Sequence, residues 1–360
     1  MTNLKILHLL SNWKWTEISE PAVDLVLAQK KLGAEVEFVC GRSPGNRAER
    51  SVACHARLKA LDPVHVLDMP KHLNIFSAFL DCPKLRRLLK RFKPSVIHCH
   101  KSNAHLMAVL SRGTARLPVI VRSSYDPEDS CRDKMDRLLY KFGTDGIVVL
   151  NEKSRKAAIA QHRFSPERVQ VAEPGIDLAR FSPGRAIAAG RGFSGLKADA
   201  FVVGIVTRIR DSRRLDILLK ALAALAPTHP QLQMLLVGRG REGAVEKVVE
   251  KPSREMKIYD RIVMPGYCTG DRLVAAYRAM DVLVYPTPGS DQSCRTVREA
   301  MAAGVPVIAP EIGFLPELME DHITGRLMAF SWESLADILK ELVQDGARNC
   351  RATVFSRASG

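Results

Sequence analysis

Short apolar runs alternate with longer amphipathic segments along the whole 360-residue chain. The first half predicts strands at Ile6–Leu10, Val36–Cys40, Val64–Leu67, Val96–Cys99, Val119–Arg122, Ile147–Leu150 and Val169–Ala172. The second half predicts strands at Phe201–Thr207, Gln233–Val237, Arg261–Met264, Val282–Tyr285, Val307–Ala309 and Gly325–Met328. Strands that alternate with helices predict an α/β protein with parallel sheets covered by helices on both faces. The nearly continuous apolar character of the strands agrees with such burial.

The segments between the strands have the pattern of amphipathic helices. Helices are predicted at Ala22–Leu32, Pro83–Phe92, Ala104–Ser111, Glu152–His162, Leu215–Leu225, Gly243–Glu255, Leu273–Ala279, Thr296–Ala303 and Ser334–Gln344.

A run rich in proline, glycine and polar residues around 174–200 separates the two β/α series. We therefore predict an N-terminal domain at 1–180, a linker at 181–200, a C-terminal domain at 201–346 and a polar tail at 347–360. Ligands of such sheets bind beyond the carboxyl ends of the strands. Two sheets that face each other are expected to hold a ligand in a central cleft.

The composition is that of a globular cytoplasmic protein. Hydrophobic residues make up 46% of the chain, and we find neither a signal-peptide pattern nor the run of about 18 apolar residues that spans a bilayer. The eight cysteines form no C-x-x-C pair, so we expect reduced thiols and no zinc framework.

The net charge of +15 is concentrated in the first half of the chain. Residues 1–180 hold 30 Lys and Arg against 19 Asp and Glu, whereas residues 181–360 hold 24 against 20. This excess predicts an anionic partner: nucleic acid, a lipid headgroup surface or a phosphorylated acceptor. Nucleic acid is disfavoured, because no helix-turn-helix, zinc-finger or RNP-like pattern is present.

The segment Gly238–Gly243 fits G-x-G-x-x-G between a strand and a helix. One interpretation is a nicotinamide dinucleotide site, although that motif normally follows the first strand of its domain and this one follows the second. The other is a phosphate site, since glycines allow close approach of the backbone and a helix N-terminus favours anions.

Two arginines, Arg208 and Arg213, follow the first strand of the second half. Arginine at the ligand-facing end of a sheet suits a diphosphate, with which it forms bidentate bonds. A solvated basic loop is the alternative.

A loop and helix between Tyr285 and Pro306 carry the most informative pattern. Asp291 lies in the loop and Glu299 in the helix, and the amides of Ser293, Cys294, Arg295 and Thr296 are expected at the helix N-terminus, where anions bind. Carboxylates beside an anion site suit the hydroxyls of a sugar and a ribose. Taken singly, Asp291 is equally compatible with an N-cap and Glu299 with an exposed helix residue.

Residues 201–346 resemble the nucleotide-binding domain of GT-B glycosyltransferases of the retaining family 4 type. The resemblance rests on Arg208, Arg213, Gly238, Gly240, Gly266, the Asp291/Glu299 pair and the run Glu299-Ala-Met-Ala-Ala-Gly-Val-Pro-Val. Glu173–Pro183 is similar to the strand and turn between the family's two domains. The resemblance implies the GT-B architecture, with two Rossmann-like doubly wound sheets facing a central cleft.

The resemblance also implies a role for each matched residue. Arg208 and Arg213 would stabilise the diphosphate of a UDP- or GDP-sugar, Asp291 would hold the sugar, and Glu299 the ribose. We also assign Tyr267 to donor binding, and no cofactor or metal is required. Asp291 and Arg213 replace the usual Glu and Lys.

The first half departs further from the family. The Gly-Gly loop after the first strand is replaced by a segment with Trp15, Thr16 and Glu17, and the usual histidine after Val119–Arg122 is replaced by a segment with Tyr125. We assign these four residues and His100 to the acceptor side. A zinc site at His98 and His100 is disfavoured, since no further ligands are evident.

The predicted helix at 83–93 carries Lys84, Arg86, Arg87, Lys90, Arg91 and Lys93 around apolar residues. A basic amphipathic helix is typical of a membrane-surface element, here an anionic one at the inner face of the plasma membrane. The alternative is a solvated helix whose leucines pack on the sheet.

The sequence thus predicts a retaining glycosyltransferase that acts on a glycan or lipid-linked acceptor, as in lipopolysaccharide or polysaccharide biosynthesis. The alternatives are a nucleotide-sugar epimerase, a degenerate GT-B protein that only binds a nucleotide or glycan, and a nicotinamide oxidoreductase.

Overall fold

The computed structural model of the protein describes residues 4–16, 18–45, 47–69, 75–125, 134–173, 175–183, 192–287 and 294–345. The chain divides into two compact units, Met1–Gly175 (unit 1) and Ile176–Gly360 (unit 2). Phe181 and Ala200, at the ends of the segment predicted as a linker, belong to the core of unit 2.

In its described part, unit 1 is built around a seven-stranded parallel sheet of order β3-β2-β1-β4-β5-β6-β7. The strands are β1 (Lys5–Leu10), β2 (Glu35–Gly41), β3 (Val64–Leu67), β4 (Val96–Cys99), β5 (Val119–Ser123), β6 (Gly146–Val149) and β7 (Val169–Val171). The helices are α1 (Ser19–Lys31), α2 (Val52–Leu58), α3 (Ile75–Phe92), α4 (Ser102–Arg112), α5 (Lys134–Gly143) and α6 (Glu152–His162).

In its described part, unit 2 has a six-stranded sheet of order β10-β9-β8-β11-β12-β13. The strands are β8 (Phe201–Val206), β9 (Leu232–Val237), β10 (Ile262–Gly266), β11 (Val282–Val284), β12 (Val307–Pro310) and β13 (Gly325–Met328). The helices are α7 (Leu178–Phe181), α8 (Leu215–Leu225), α9 (Lys251–Glu255, preceded by a π turn at Glu246–Glu250), α10 (Gly270–Ala279), α11 (Arg295–Ala302), α12 (Leu315–Leu318) and α13 (Trp332–Asp345).

The expected α/β class and doubly wound sheets are confirmed, and every predicted strand is present. Helices α2, α5, α7 and α12 were not predicted. Helix α2 begins where the Ser51 hydroxyl accepts a hydrogen bond from the Cys54 amide at 3.1 Å, a local cap that compensates for the shortness of the helix.

Each unit packs its helices on both faces of its sheet. In unit 2, α8 places leucines at i, i+3, i+4 and i+7 against β8 and β9, and this apolar stripe gives the helix its stability. The described cysteines are free thiols. Among the described residues we find no helix long and apolar enough to cross a membrane.

The core of unit 2 supplies a test of this packing. Leu219 is 1% exposed in the α8 stripe, so we expect Leu219→Ala to lower the free energy of unfolding by about 2–5 kcal/mol through lost burial and a residual cavity. The matched control is Leu178→Ala in the same unit, because Leu178 is 59% exposed. Urea unfolding of both variants measures the difference, and equal effects would contradict the described core.

Candidate functional site

The strand order of unit 2 reverses between β8 and β11, which are neighbours in the sheet although their chain segments wind outward in opposite directions. Such a reversal opens a crevice at the carboxyl ends of the strands, where doubly wound sheets bind ligands. The loops after β8, β9 and β10 and the helix after β11 carry the sequence-predicted donor residues. The topology thus brings these segments to one edge of the sheet.

Gly238 joins the loops that follow β8, β9 and β10. Its amide donates to the carbonyl oxygen of Gly266 at 3.0 Å. A Cβ at this position would lie 1.8 Å from the carbonyl oxygen of Thr207, which is backbone and cannot swing away. Only glycine therefore allows the β9 loop to lie against the β8 loop.

Gly240 extends the contact between the β8 and β9 loops by two residues. It forms a parallel bridge with Ile209, whose amide donates to the carbonyl oxygen of Arg239 at 3.0 Å. The Arg239 guanidinium lies 4.6 Å from the centre of the Tyr267 ring, and Tyr267 is 56% exposed. Gly266, the last residue of β10, has a φ of +81° that a side chain rarely adopts.

The predicted diphosphate arginines lie on the loop after β8. Arg208 is exposed, and Arg213 is half-buried at the end of a 3₁₀ turn over Asp211–Arg213. The turn is held from outside by Lys247, whose Nζ lies 2.9 Å from the Asp211 carboxylate. Both partners of this ion pair are exposed, so it orients the loop with little net stabilisation.

Glu299 is buried in α11, with 4% of its surface exposed. Its Oε2 accepts a hydrogen bond from the Tyr277 hydroxyl at 2.8 Å, and its Oε1 accepts one from Arg295 Nε at 2.7 Å. Burial, and next the Glu299 charge, raise the pKa of Tyr277 well above its usual value, so the tyrosine stays a donor. Glu299 is thus a buried, doubly bonded carboxylate and not an exposed helix residue.

Tyr277 is a site residue that the sequence analysis missed. It lies in α10, fully buried, with its ring against Phe181 and its hydroxyl also bonded to Thr296. An aromatic residue in an amphipathic helix carries no local signal that distinguishes a polar partner from ordinary packing.

The N-terminus of α11 is described only from Cys294 onward. Cys294 is buried in the left-handed region, with a φ of +43°, and its carbonyl oxygen accepts from the amides of Val297 and Arg298. Asp291 and Ser293 lie outside the described residues. Their predicted roles therefore stay predictions.

In unit 1, buried histidines gather at the corresponding reversal between β1 and β4. His8 and His98 are register partners on these strands, and His100 follows β4. His8 Nδ1 lies 2.9 Å from His100 Nε2, and His100 Nδ1 lies 2.7 Å from the Tyr125 hydroxyl. The sequence analysis noted His98 and His100 but missed His8, which only the strand pairing brings beside them.

A ring nitrogen from each of His8, His98 and His100 lies within 4.8 Å of one from each of the others. Burial lowers the pKa of His8 to about 4 and the pKa of His98 and His100 well below 6.5, so all three are neutral near pH 7. Neutral imidazoles are able to donate and accept hydrogen bonds or to bind a transition metal.

The other residues predicted for the acceptor side belong to a local polar network. The Trp15 ring stacks on His55 with ring centres 4.7 Å apart, and the Thr16 hydroxyl lies 3.1 Å from the Ser19 hydroxyl. These contacts close the turn between β1 and α1 without a glycine pair. Glu17 lies outside the described residues.

The second half of helix α3 directs its apolar residues inward. Leu85, Leu88 and Phe92 are buried in the core of unit 1. The exposed side carries Lys84, Arg86, Arg87, Lys90, Arg91 and Lys93. Leu85 and Leu88 are therefore not available to a bilayer, whereas Leu80 in the first half of the helix is 78% exposed.

Comparisons with known proteins agree with this geometry. Residues 22–180 match the family model described as Glycosyltransferase Family 4, and residues 189–355 match the model described as Glycosyl transferases group 1. The chain belongs to the family 4 glycosyltransferases. The resemblance stated from the sequence and the GT-B fold class are thereby confirmed.

Curated relatives support the family, and solved structures support the fold. The D-inositol 3-phosphate glycosyltransferase of Mycolicibacterium vanbaalenii is 32% identical over 234 residues, which cover 60% of this chain and 49% of that protein. The chain thus spans about half the length of the curated relatives it matches. The structure of Anabaena Alr3699/HepE in complex with UDP has a TM-score of 0.80 at 20% identity and covers 99% of this chain and 95% of that one. The lipopolysaccharide outer core galactosyltransferase WaaB has a TM-score of 0.68 at 15% identity, covering 98% and 94%.

The close approach at Gly238 gives this family 4 member a testable feature. We expect Gly238→Ala to displace the β9 loop from the β8 loop and to lower the free energy of unfolding by about 1–3 kcal/mol. Gly175→Ala is the control, because a Cβ there would meet nothing within 4 Å. Thermal unfolding measures both, and a Gly238→Ala variant as stable as the control would refute the described contact.

Proposed function

We propose that the protein is a retaining glycosyltransferase that transfers a sugar from a nucleoside diphosphate sugar, UDP- or GDP-linked, to a hydroxyl of a glycan or lipid-linked acceptor. The observation that carries the proposal is the buried Glu299 carboxylate at the β8/β11 reversal, together with the loops that Gly238 and Gly240 join. The titles of two similar structures name UDP and UDP-glucose, which supports a nucleotide-sugar donor.

The chemical task is to stabilise the diphosphate as the sugar leaves, because negative charge develops there. Arg208 and Arg213 supply fixed positive charge on the loop after β8. The amides at the start of α11, from Cys294 to Thr296, add the positive end of a helix dipole. Asp291 is proposed to hold the sugar hydroxyls, and Tyr267 to lie against the donor.

Glu299 is proposed to bind the ribose. Ribose hydroxyls donate to a carboxylate, and Tyr277 and Arg295 already occupy one oxygen each. Each carboxylate oxygen has a second lone pair, so a bound ribose can use a remaining lone pair or displace Arg295 from Oε1, while Tyr277 keeps the carboxylate in place. The Arg295 side chain, once released, is left as an additional cation beside the nucleotide.

The acceptor is proposed to carry phosphate or to lie on an anionic membrane. Residues 1–180 hold the excess of positive charge, and the curated relatives are named for inositol 3-phosphate. Together with the lipopolysaccharide galactosyltransferase among the similar structures, this supports a cytoplasmic enzyme of lipopolysaccharide or polysaccharide biosynthesis.

Nucleotide binding tests the donor site. We expect Arg208→Ala and Glu299→Gln each to raise the Kd for UDP about 30-fold, since each removes a charge-assisted hydrogen bond of about 2 kcal/mol. Lys340→Ala, an exposed cation on α13, is the control. Isothermal titration with UDP, GDP, ADP, dTDP and NADH measures the affinities and identifies the base.

Each outcome of that titration separates the alternatives. Binding of NADH alone would favour the oxidoreductase, and binding of no nucleotide would remove the donor site. A nucleoside diphosphate that binds without sugar transfer to any acceptor indicates a binding protein. Conversion of the nucleotide sugar without an acceptor indicates an epimerase.

The exposed basic side of α3 gives a separate prediction. Each Lys or Arg near an anionic membrane contributes about 1 kcal/mol, so Arg87→Gln with Lys90→Gln should weaken binding to phosphatidylserine vesicles about 30-fold. Lys257→Gln with Lys340→Gln in unit 2 is the charge-matched control. Vesicle sedimentation measures both, and equal binding of the two double variants would exclude α3 as the membrane contact.

A further inference from the structure

The histidine cluster of unit 1 lies where a doubly wound sheet normally binds its ligand. The strand order reverses between β1 and β4, and His8, His98 and His100 come from these two strands and the residue after them. His8 and His100 are fully buried, and His98 is 6% exposed. The family assignment gives none of the three a role by itself.

Hydrogen bonds link the histidines of this cluster to Ser123, Tyr125 and Gln29 in one continuous series. His98 Nε2 lies 2.7 Å from the Ser123 hydroxyl, which is bonded to the Tyr125 hydroxyl. Tyr125 lies 2.7 Å from His100 Nδ1, and His100 Nε2 lies 2.9 Å from His8 Nδ1. The last hydrogen bond of the series joins His8 Nε2 to Gln29 Oε1 at 2.7 Å.

The hydrogen bond to Gln29 determines which group donates in every other hydrogen bond of the series. The Gln29 carbonyl oxygen only accepts, so His8 Nε2 carries hydrogen, and neutral His8 must accept at Nδ1. His100 therefore donates from Nε2 and accepts at Nδ1 from the Tyr125 hydroxyl. Ser123 therefore donates its hydrogen to the Tyr125 oxygen and accepts one from His98 Nε2. Burial raises the pKa of Tyr125, and the hydrogen bond from Ser123 lowers it by a smaller amount.

This direction leaves the Tyr125 oxygen with one defined capacity. Its hydrogen is engaged by His100, and one of its two lone pairs receives the Ser123 hydrogen. The remaining lone pair can accept one more hydrogen bond. Tyr125 is half-buried and follows the carboxyl end of β5, at the edge of the sheet where doubly wound folds bind ligands.

We propose that the relay His98–Ser123–Tyr125–His100–His8–Gln29 positions the Tyr125 oxygen to accept a hydrogen bond from one hydroxyl of a carbohydrate or polyol substrate. This inference rests on the proposed function and adds a specific acceptor atom to it. His8, His98, His100, Ser123 and Gln29 are positioning residues. Only Tyr125 touches the substrate.

The surroundings favour a hydrogen-bonded relay over a metal ion. A metal that used His8 Nδ1 and His100 Nε2 would have to break the 2.9 Å bond between them. Burial lowers the pKa of His98 and His100 most, the neighbouring histidines lower it next, and the charge of the buried Arg122 guanidinium lowers it further. The same positive charge opposes a second cation there.

The first experiment measures tautomers in the full chain labelled with 15N-histidine. We expect His8, His98 and His100 to be neutral with hydrogen on Nε2 from about pH 8 to about pH 5. Tyr125→Phe should shift the His100 Nδ1 resonance downfield as it loses its donor, with the tautomer unchanged. His105→Gln is the control, because His105 is a buried histidine that bonds Thr144 outside the relay.

The second experiment measures the ligand. The probes are inositol 3-phosphate, myo-inositol and UDP-glucose, observed through the 13C-labelled Tyr125 ring. We expect at least one probe to move the Tyr125 signal in the wild type. Its Kd should rise about 3–10-fold in Tyr125→Phe, the value of one neutral hydrogen bond. His100→Asn keeps an acceptor near Nδ1 and should bind the probe more tightly than His100→Leu.

Three results would overturn the proposal: a hydrogen on Nδ1 of His8 or His100, no response of Tyr125 to any probe, or one equivalent of bound zinc that is lost in His8→Gln. Isothermal titration with UDP is run on the same variants. Variants with unchanged affinity for UDP and altered affinity for the probe would support the relay. A wild-type protein that does not bind UDP would count against the proposed function, whereas the tautomers of the histidines would still test the relay.

Discussion

Both units depend on one central strand that pairs with a neighbour on each side, because the sheet is first extended in one direction from this strand and then in the other. β1 pairs with β2 and β4, and β8 pairs with β9 and β11, all in parallel. Because every crossover of a parallel sheet winds with the same hand, the helices on the two sides of this central strand cover opposite faces. The loops on either side separate at the carboxyl end, and the polar residues of each unit gather there.

That position creates a physical difficulty, since polar side chains at the end of a buried strand are removed from water. A buried donor or acceptor without a partner costs about 1–3 kcal/mol. Unit 2 meets this cost with an ionic arrangement, in which Tyr277 and Arg295 satisfy both oxygens of Glu299. Unit 1 meets it with neutral groups, since burial lowers the pKa of its histidines below neutrality.

Much of the fold could be predicted from the sequence because it depends on local pattern. Apolar runs such as Phe201–Val206 are strands in a fully covered sheet, and the leucines of α8 have helical spacing. Helix α5 was missed although Met135, Leu138, Leu139 and Phe142 have the spacing of one helical face, so its pattern was present in the sequence. The glycine motif was recognisable, but the reason Gly238 must be glycine lies in the carbonyl of Thr207, over thirty residues earlier.

The candidate sites were predictable in part, for the same reason. Glu299 follows from a motif, whereas Tyr277 and His8 reach their partners only through strand and helix packing across the sheet. No local pattern distinguishes either residue from a core residue. For the basic helix α3, the sequence correctly predicts one basic and one apolar face. Only the structure shows that Leu85, Leu88 and Phe92 of the apolar face pack in the core of unit 1.

The two buried networks differ in a way that suits two different substrates. A carboxylate held by an arginine and a tyrosine can exchange one donor for the hydroxyls of a ribose without leaving a charge unpaired, because the arginine released stays beside an anionic nucleotide. A neutral relay cannot supply such charge, but it presents a single lone pair of fixed direction, which discriminates among hydroxyls by position. Under the proposed function, unit 2 would supply charge to the donor and unit 1 would supply geometry to the acceptor, so a change of acceptor would require no change in the residues proposed to hold the nucleotide.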